Sequence, residues 1–265
     1  MVIISGGDSF VWGSELGDCT DCGPNGFSQK TFPALLSEAY DYQCAAFPGN
    51  GNDSIARKTM IACEKYKGQE QFVIVMWTFH SRYEFRFEKD RKLWWEVINS
   101  WTIGNEYTNQ EDLNKNKFVD AFKKRAEQSG IATFAKSYFT AVGFNGYWQI
   151  YTALREVVFL QNYLKANNIP YLFTCADNII LNNFYTTVEH DETIDCLFNQ
   201  IDFDKWYLFP EAEEEYDTQL PRGFYQWAVE NKYSIGPEGH PLEDAHKDAA
   251  DLIRSRFDEL VKKHN

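Results

Sequence analysis

The sequence predicts one α/β domain built around a parallel β-sheet. Short apolar segments of strand length alternate with longer segments that repeat apolar residues at helical spacing. The clearest strand is an unbroken apolar run at residues 72–77, as expected for a strand that is covered on both faces. The clearest helix follows Pro241 and carries its apolar residues on one face. A chain of 265 residues suits a single domain of this class, which we assign to residues 1–265.

The first part of the chain contains three of the predicted strands, at residues 1–5, 42–47 and 72–77. A helix is predicted at about residues 31–40, where Pro33 suits the first turn. A second helix is predicted from Asn52 or Asp53 to about residue 65, because both residue types cap helices. This alternation favours right-handed crossovers and helices on both faces of the sheet.

The remainder of the chain is less regular at first. Residues 80–145 read as an insertion between strands three and four, with one helix at about 118–128, and we expect them to form a lid or part of a substrate site. A long helix at about 147–166 then leads to strand four at 171–176. Strand five is predicted at 206–209, and the last helix begins at Pro241.

A serine follows the first strand directly, in the sequence Gly7-Asp8-Ser9. Ligands of open α/β sheets bind at the carboxyl ends of the strands, and Gly6 and Gly7 would permit a sharp turn there. A serine hydroxyl reacts at neutral pH only when a base takes its proton. The best candidate for that base is His240, which precedes the last helix, so the hypothesis requires the two ends of the chain to meet.

Several sequence blocks resemble those of the SGNH (GDSL-type) hydrolases. They are Gly7-Asp8-Ser9, the loop Pro48-Gly49-Asn50, and His240-Pro241 before the last helix. The segment 77–82 and the ending His-Pro-Leu-x-x-Ala-His are similar to SGNH-like proteins of tailed bacteriophages. The resemblance implies a three-layer α/β/α, flavodoxin-like fold with a five-stranded parallel sheet in the order 2-1-3-4-5.

The resemblance also implies roles for individual residues. Ser9 would be the nucleophile and His240 the base, and the backbone N–H groups of Ser9 and Gly49 would bind the oxyanion. The residue three before the histidine, where the family has its acid, is Pro237. We therefore expect Glu238 to orient the imidazole, with a backbone carbonyl or water as the alternative.

A second departure affects the oxyanion site. Phe79 stands where the family has an asparagine, so a side-chain amide would have to come from Asn50 or Asn52. Asn52 is equally suited to be a helix N-cap. His80 follows strand three and is a second-rank candidate for the base.

Four residues are candidates for substrate binding: Asn50, Trp12, Trp77 and Arg82. Aromatic residues make up 17% of the chain, and tryptophan rings form either stacking walls for sugars or large core residues. Arg82 would either hold a substrate carboxylate or form an ion pair with Glu84.

Composition excludes several other classes. A net charge of −13 argues against nucleic acid or an anionic membrane as the partner, since both require a cationic surface. Cys19 and Cys22 form a lone Cys-x-x-Cys without further ligands, and no phosphate-binding glycine motif occurs, so we expect no metal and no cofactor. No apolar run has the length of a membrane helix. Without a visible secretory signal, we expect a cytoplasmic location in the producing cell, with virion association as an alternative. No oligomeric state is predicted.

Together these observations predict a serine esterase that cleaves a small acyl ester through an acyl-enzyme. The substrate would be a small molecule or a glycan ester, such as an O-acetyl group on a sugar. The alternative is a non-catalytic binding or structural phage protein that retains the fold.

Overall fold

The computed structural model describes residues 1–19, 26–89, 91–99, 130–186, 191–210 and 221–263. The strands, in chain order, are β1 Val2–Gly6, β2 Asp41–Cys44, β3 Gln71–Trp77, β4 Tyr83–Lys89, β5 Lys92–Ile98 and β6 Tyr171–Cys175. The helices are α1 Ser9–Trp12, α2 Phe32–Leu36, α3 Asn52–Lys65, α4 Ile131–Tyr138, α5 Gly146–Ala166, α6 Ile179–Thr186, α7 Glu192–Phe198, α8 Phe224–Glu230 and α9 Glu243–Lys262.

Four parallel strands form the central sheet in the order β2-β1-β3-β6. The α/β class and the positions of the first four predicted strands are therefore confirmed. The predicted fifth strand is reduced to one parallel bridge between Trp206 and Phe173. The chain leaves β6 after this bridge because Phe209 pairs in antiparallel fashion with Arg222 instead, through two backbone hydrogen bonds of 2.9 Å.

Both faces of the sheet are covered, which explains why its strands are apolar without interruption. Successive side chains of a strand point to opposite faces. Val73, Val75 and Trp77 of β3 therefore pack with α3 and α5 on one side. Phe72, Ile74 and Met76 pack with α1, α2, α8 and α9 on the other. The result is the expected three-layer α/β/α arrangement.

Two helix boundaries differ from the prediction. Helix α2 ends at Leu36, because the Ser37 hydroxyl donates to the Pro33 carbonyl at 2.6 Å and closes the last turn. Helix α9 begins at Glu243 instead of Pro241, because Pro241 forms a bridge with Ile235 and Leu242 donates to the Ser234 carbonyl. These contacts hold residues 241–242 in an extended conformation.

The segment between β3 and α5 contains an antiparallel hairpin, β4–β5, and helix α4. Tyr83, Ile98, Ile131 and Phe139 form a small hydrophobic cluster of their own. Its role as a lid remains a prediction, and the predicted helix at 118–128 lies outside the described residues. None of the described helices has both the length and the apolar character needed to cross a membrane.

Candidate active site

Ser9 is the first residue of α1 and follows β1 after a two-residue turn. The buried Asp8 caps this short helix, since its Oδ1 accepts a hydrogen bond from the Phe10 N–H at 3.1 Å. A Cβ atom on Gly7 would lie 2.4 Å from Val11, and one on Gly6 would lie 2.2 Å from the Thr59 hydroxyl oxygen. The two glycines are therefore needed because the backbone approaches α1 and α3 closely there.

His240 lies beside the turn that carries Ser9. The imidazole contacts the ring of Phe10 edge-on, with 5.3 Å between ring centroids. The loop that follows α1 is also tied to the start of α9, because the Gly17 N–H donates to Glu243 Oε1 at 2.9 Å. The structure thus brings together the two chain ends that carry Ser9 and His240.

The carboxylate that pairs with His240 is Glu15, in the loop after α1. Glu15 Oε2 lies 2.6 Å from His240 Nδ1, and both side chains are largely buried. The backbone N–H groups of Glu238 and His240 also donate to this carboxylate, at 2.9 and 3.3 Å. The assignment of Glu238 as the acid beside the imidazole is therefore corrected to Glu15. The reason is the turn at 236–239, which directs the Glu238 N–H toward Glu15.

Two features place the Glu15 carboxylate beside His240: the backbone conformation of Glu15 and the glycine at position 236. Glu15 has φ of +69°, a left-handed conformation that costs a non-glycine residue roughly 1–3 kcal/mol. A Cβ atom at Gly236 would lie 2.6 Å from the Glu15 carboxylate, so a side chain there would displace the carboxylate from its present position. Strain and close approach of this kind are common where a side chain is held for function.

The pairing determines which imidazole nitrogen can act as a base. A carboxylate at Nδ1 stabilises the tautomer that carries its proton there, which leaves the Nε2 lone pair available. His246, in the first turn of α9, provides a contrast. It is buried, its Nδ1 accepts from the Phe32 N–H at 3.2 Å, and burial lowers its pKa to about 3. His246 therefore packs as a neutral core residue.

Two backbone N–H groups near the nucleophile are candidates for the oxyanion. In the part of the chain that the structure describes, neither the Ser9 N–H nor the Gly49 N–H donates a hydrogen bond to another group. Gly49 has φ of +81° in a tight turn that the Asn50 N–H closes by donating to the Phe47 carbonyl. These are the two backbone donors predicted from the sequence, and their role remains a prediction.

The two asparagines of this loop have structural contacts that the sequence did not predict. Asn52 uses both ends of its amide on Thr78 at the end of β3, accepting from its N–H at 2.9 Å and donating to its carbonyl at 3.2 Å. The N-cap of α3 is Gly51, so Asn52 is not the cap. Asn50 is 1% exposed and donates from Nδ2 to the Gly7 carbonyl at 2.8 Å. Substrate binding by Asn50 is therefore wrong, because its side chain is enclosed.

The two tryptophans assigned to substrate binding belong to the core. Trp77 has no exposed surface and contacts Phe173 edge-on, at 5.3 Å between centroids. Trp12 is also buried, and it packs edge-on against Phe27 and Phe47. Both assignments are wrong, because these rings face the packed layers of the sheet.

Arg82 forms an ion pair with a residue other than the predicted Glu84. Its Nη1 lies 3.0 Å from Asp8 Oδ2, and the Thr78 hydroxyl donates to the same oxygen at 2.6 Å. Glu84 pairs with Arg57 instead, at 2.6 Å. The Asp8–Arg82 pair therefore links the Gly7-Asp8-Ser9 turn to the segment that follows β3.

Arg82 also lines a cleft of about 240 Å³ between the start of α3, strand β4 and helix α5. Aromatic side chains line one part of it: Phe85, Tyr138 and Trp148. His80 also lines the cleft, and burial lowers its pKa to about 4, so this imidazole is neutral at neutral pH. Among the described residues, no group of three His, Cys, Asp or Glu side chains could hold a metal ion. Cys22 lies outside the described residues.

Comparison of the sequence with known protein families and with characterised proteins gives no match. The solved structures that align along nearly the whole chain include an esterase, a lipase and a phospholipase. The psychrotrophic esterase EstA from Pseudoalteromonas sp., inhibited by monoethylphosphonate, is 13% identical, with a TM-score of 0.42 and coverage of 99% of this chain and 97% of that one. An extracellular lipase from Streptomyces rimosus is 11% identical, with a TM-score of 0.43 and coverage of 96% and 99%.

The third structure is phospholipase A1 from Streptomyces albidoflavus NA297. It is 10% identical, with a TM-score of 0.37 and coverage of 96% of this chain and 98% of that one. Identities and scores this low do not establish a shared activity. The function is therefore argued from the side chains at the site.

Proposed function

We propose that the protein is a serine esterase in which Ser9 is the nucleophile, His240 the base and Glu15 the acid that orients it. The observation that carries this proposal is the short Glu15–His240 contact beside the Ser9 turn. A buried carboxylate that binds the far nitrogen of a histidine, next to a serine at a strand end, is the arrangement that acyl transfer requires.

The reaction proceeds in two balanced steps. The Ser9 Oγ attacks the ester carbonyl carbon while His240 Nε2 takes its proton, and the alcohol leaves with that proton as the acyl-enzyme forms. A water molecule then attacks the acyl carbon and gives its proton to Nε2. The carboxylic acid is released, and the proton returns to Ser9. Glu15 stabilises the imidazolium that exists between proton transfers.

Negative charge on the carbonyl oxygen needs donors in each step. The N–H groups of Ser9 and Gly49 are the two donors that we assign to this oxygen. We do not assign Asn52 to it, because both ends of its amide bind Thr78. Losing one such donor typically lowers the rate by about 10²–10³-fold. An esterase with two backbone donors is therefore expected to turn over activated esters more readily than stable ones.

The substrate is a small acyl ester, and we place its alcohol portion in the cleft beside Arg82. The arginine and glutamate side chains there form ion pairs within the protein, as in Arg155–Glu156 at 2.8 Å and Arg82–Asp8 at 3.0 Å. The Asp53 carboxylate, which also lines the cleft, accepts hydrogen bonds from the N–H groups of Ser54 and Glu84. Paired charges next to aromatic rings favour a neutral, polyhydroxylated alcohol over an ion. An O-acetylated sugar meets that description. The resemblance to phage proteins would make such a glycan part of a bacterial cell surface.

The test combines turnover with covalent labelling. We expect the wild-type protein to hydrolyse p-nitrophenyl acetate and to bind one phosphonate group per chain at Ser9, identified by peptide mass spectrometry. Ser9→Ala should abolish both results. Ser14→Ala, a serine in the same loop, is the matched control and should retain both. Equal hydrolysis by the wild type and Ser9→Ala would refute the proposal.

The alternative is a binding protein that retains the fold without turnover. The commitment of Asn52 to Thr78, together with Phe79 in the third block, favours it because both remove a side-chain donor from the oxyanion site. Binding of an acetylated oligosaccharide with equal affinity by the wild type and Ser9→Ala, and no release of acetate, would select this alternative.

A further inference from the structure

The loop that carries Gly49 is hydrogen-bonded to the Gly7 carbonyl, in the turn at residues 7–9 that precedes α1. The Gly7 carbonyl accepts from the Phe47 N–H at 3.3 Å and from Asn50 Nδ2 at 2.8 Å. Asn50 is enclosed, so its amide has a fixed environment. The position of the Gly49 N–H relative to Ser9 therefore depends on the orientation of this amide.

Lys58 of α3 contacts the other end of the same amide. Its Nζ donates to Asn50 Oδ1 at 2.6 Å and lies 4.9 Å from the centre of the Phe47 ring. An ammonium group only donates hydrogen bonds and the Gly7 carbonyl only accepts them, so together they hold the amide with Oδ1 facing Lys58 and Nδ2 facing Gly7. A charge-assisted bond of this kind is about twice as strong as a neutral one.

The charges around Lys58 come from two elements. Asp53 and Arg57 lie on α3 with it, and Glu84 lies on β4, where it pairs with Arg57. Arg82 donates to the Asn50 carbonyl at 3.3 Å from the opposite side of the loop. Burial is the largest influence on Lys58 and lowers the pKa of its ammonium group to about 8. Its charge is therefore lost in mildly alkaline solution.

We propose that Lys58 is a positioning residue for the oxyanion site: its ammonium group orients the Asn50 amide and so keeps the Gly49 N–H aligned with Ser9. This inference rests on the proposed esterase function. It also predicts a change with pH, because deprotonation of Lys58 replaces the charge-assisted hydrogen bond to Asn50 Oδ1 with a weaker neutral one, which holds the amide less firmly. An oxyanion donor acts in the transition state, so the change should affect kcat and leave KM nearly constant.

The test is the pH dependence of kcat for p-nitrophenyl acetate, with hydrolysis by Ser9→Ala subtracted. For the wild type we expect kcat to fall about five- to tenfold as Lys58 deprotonates, the size expected when a charge-assisted bond becomes a neutral one. The midpoint should lie near pH 8. Lys58→Arg keeps its charge across this range and should show no such fall. Lys58→Met should have a low kcat at every pH. An equal alkaline fall in Lys58→Arg, or full kcat in Lys58→Met, would overturn the inference.

A second measurement separates this inference from the esterase function. In Ser9→Ala labelled with ¹⁵N, the side-chain amide signal of Asn50 should shift with a midpoint near pH 8, and adding Lys58→Arg should remove that shift. An amide signal that does not respond to Lys58 overturns the inference even if the protein is an esterase. If the amide responds and the wild type shows no turnover, the proposed esterase function fails and the contact between Lys58 and Asn50 is supported. If Lys58→Met does not fold, the Lys58→Arg profile decides the question.

Discussion

The carboxyl ends of β1 and β3 are neighbours in the sheet, yet their polar groups are arranged in opposite ways. At the end of β3, Thr78 is bonded through its N–H, carbonyl and hydroxyl to Asn52 and Asp8. At the end of β1, the Ser9 N–H donates to no described group, and a paired histidine lies beside it. The polar groups at the end of β3 therefore bind other parts of the protein, whereas those at the end of β1 are the ones assigned to the substrate in the proposed reaction.

The third sequence block, at the end of β3, differs from that of the hydrolases that the sequence resembles, and its polar groups serve the fold. A buried polar group must be paired, and the pairs at the end of β3 satisfy that requirement within the protein. In the proposed esterase, the chemistry depends on the β1 end and on the chain segment that brings His240 to it. The comparison predicts that substitutions of the residues bonded to Thr78 affect mainly stability, whereas substitutions of the Glu15–His240 pair affect mainly rate.

The largest expected effect is on rate. Glu15→Gln should lower kcat by about 10²–10⁴-fold, because an amide at this position no longer stabilises the imidazolium or fixes its tautomer. The measurement is steady-state hydrolysis of an activated ester. Glu238→Gln is the matched control and should change kcat little, because Glu238 contributes its backbone N–H to the contact. Equal losses in both variants would contradict the assignment of Glu15.

The second prediction concerns stability. Asp8→Asn should lower the free energy of unfolding by about 3–5 kcal/mol, because the largely buried Arg82 would lose its carboxylate partner. Urea denaturation followed by circular dichroism measures this change. Asp41→Asn, at an exposed position of β2, should be nearly neutral. An unchanged unfolding midpoint for Asp8→Asn would show that the pair contributes nothing.

The smallest effect is expected at Asn52. Asn52→Ala should cost about 1–3 kcal/mol of stability, because the Thr78 N–H and carbonyl lose their partners, and should leave kcat of the folded protein nearly unchanged. Denaturation and turnover of the same preparation measure both quantities. A large loss of kcat with unchanged stability would return Asn52 to the oxyanion site and would remove the contrast between the two strand ends.

Local patterns in the sequence were sufficient to predict much of the fold. The apolar run of β3 and the capped, periodic segment of α3 were predicted close to their observed positions, because burial on both faces and helical spacing leave a direct signal. The fifth strand was overestimated, because whether 206–209 pairs with β6 depends on a competing contact with Arg222. That contact has no local signature.

The site was predictable only in part, for similar reasons. The Ser9 turn and the His240 segment carry recognisable residues, whereas Glu15 meets His240 across 225 positions of the chain. No spacing rule connects a glutamate in one loop to a histidine so distant. Trp77 was misassigned, although strand alternation places it with Val73 and Val75 on a buried face. That signal was available in the sequence.

The close approach of Glu15 to Gly236 limits which residues relatives of this protein can carry at the two positions. A Cβ at position 236 would lie 2.6 Å from the Glu15 carboxylate, so a side chain there would move the carboxylate away from His240. Relatives of this chain that keep a glutamate at position 15 for the proposed reaction should therefore keep glycine at position 236, and the two residues should be inherited together.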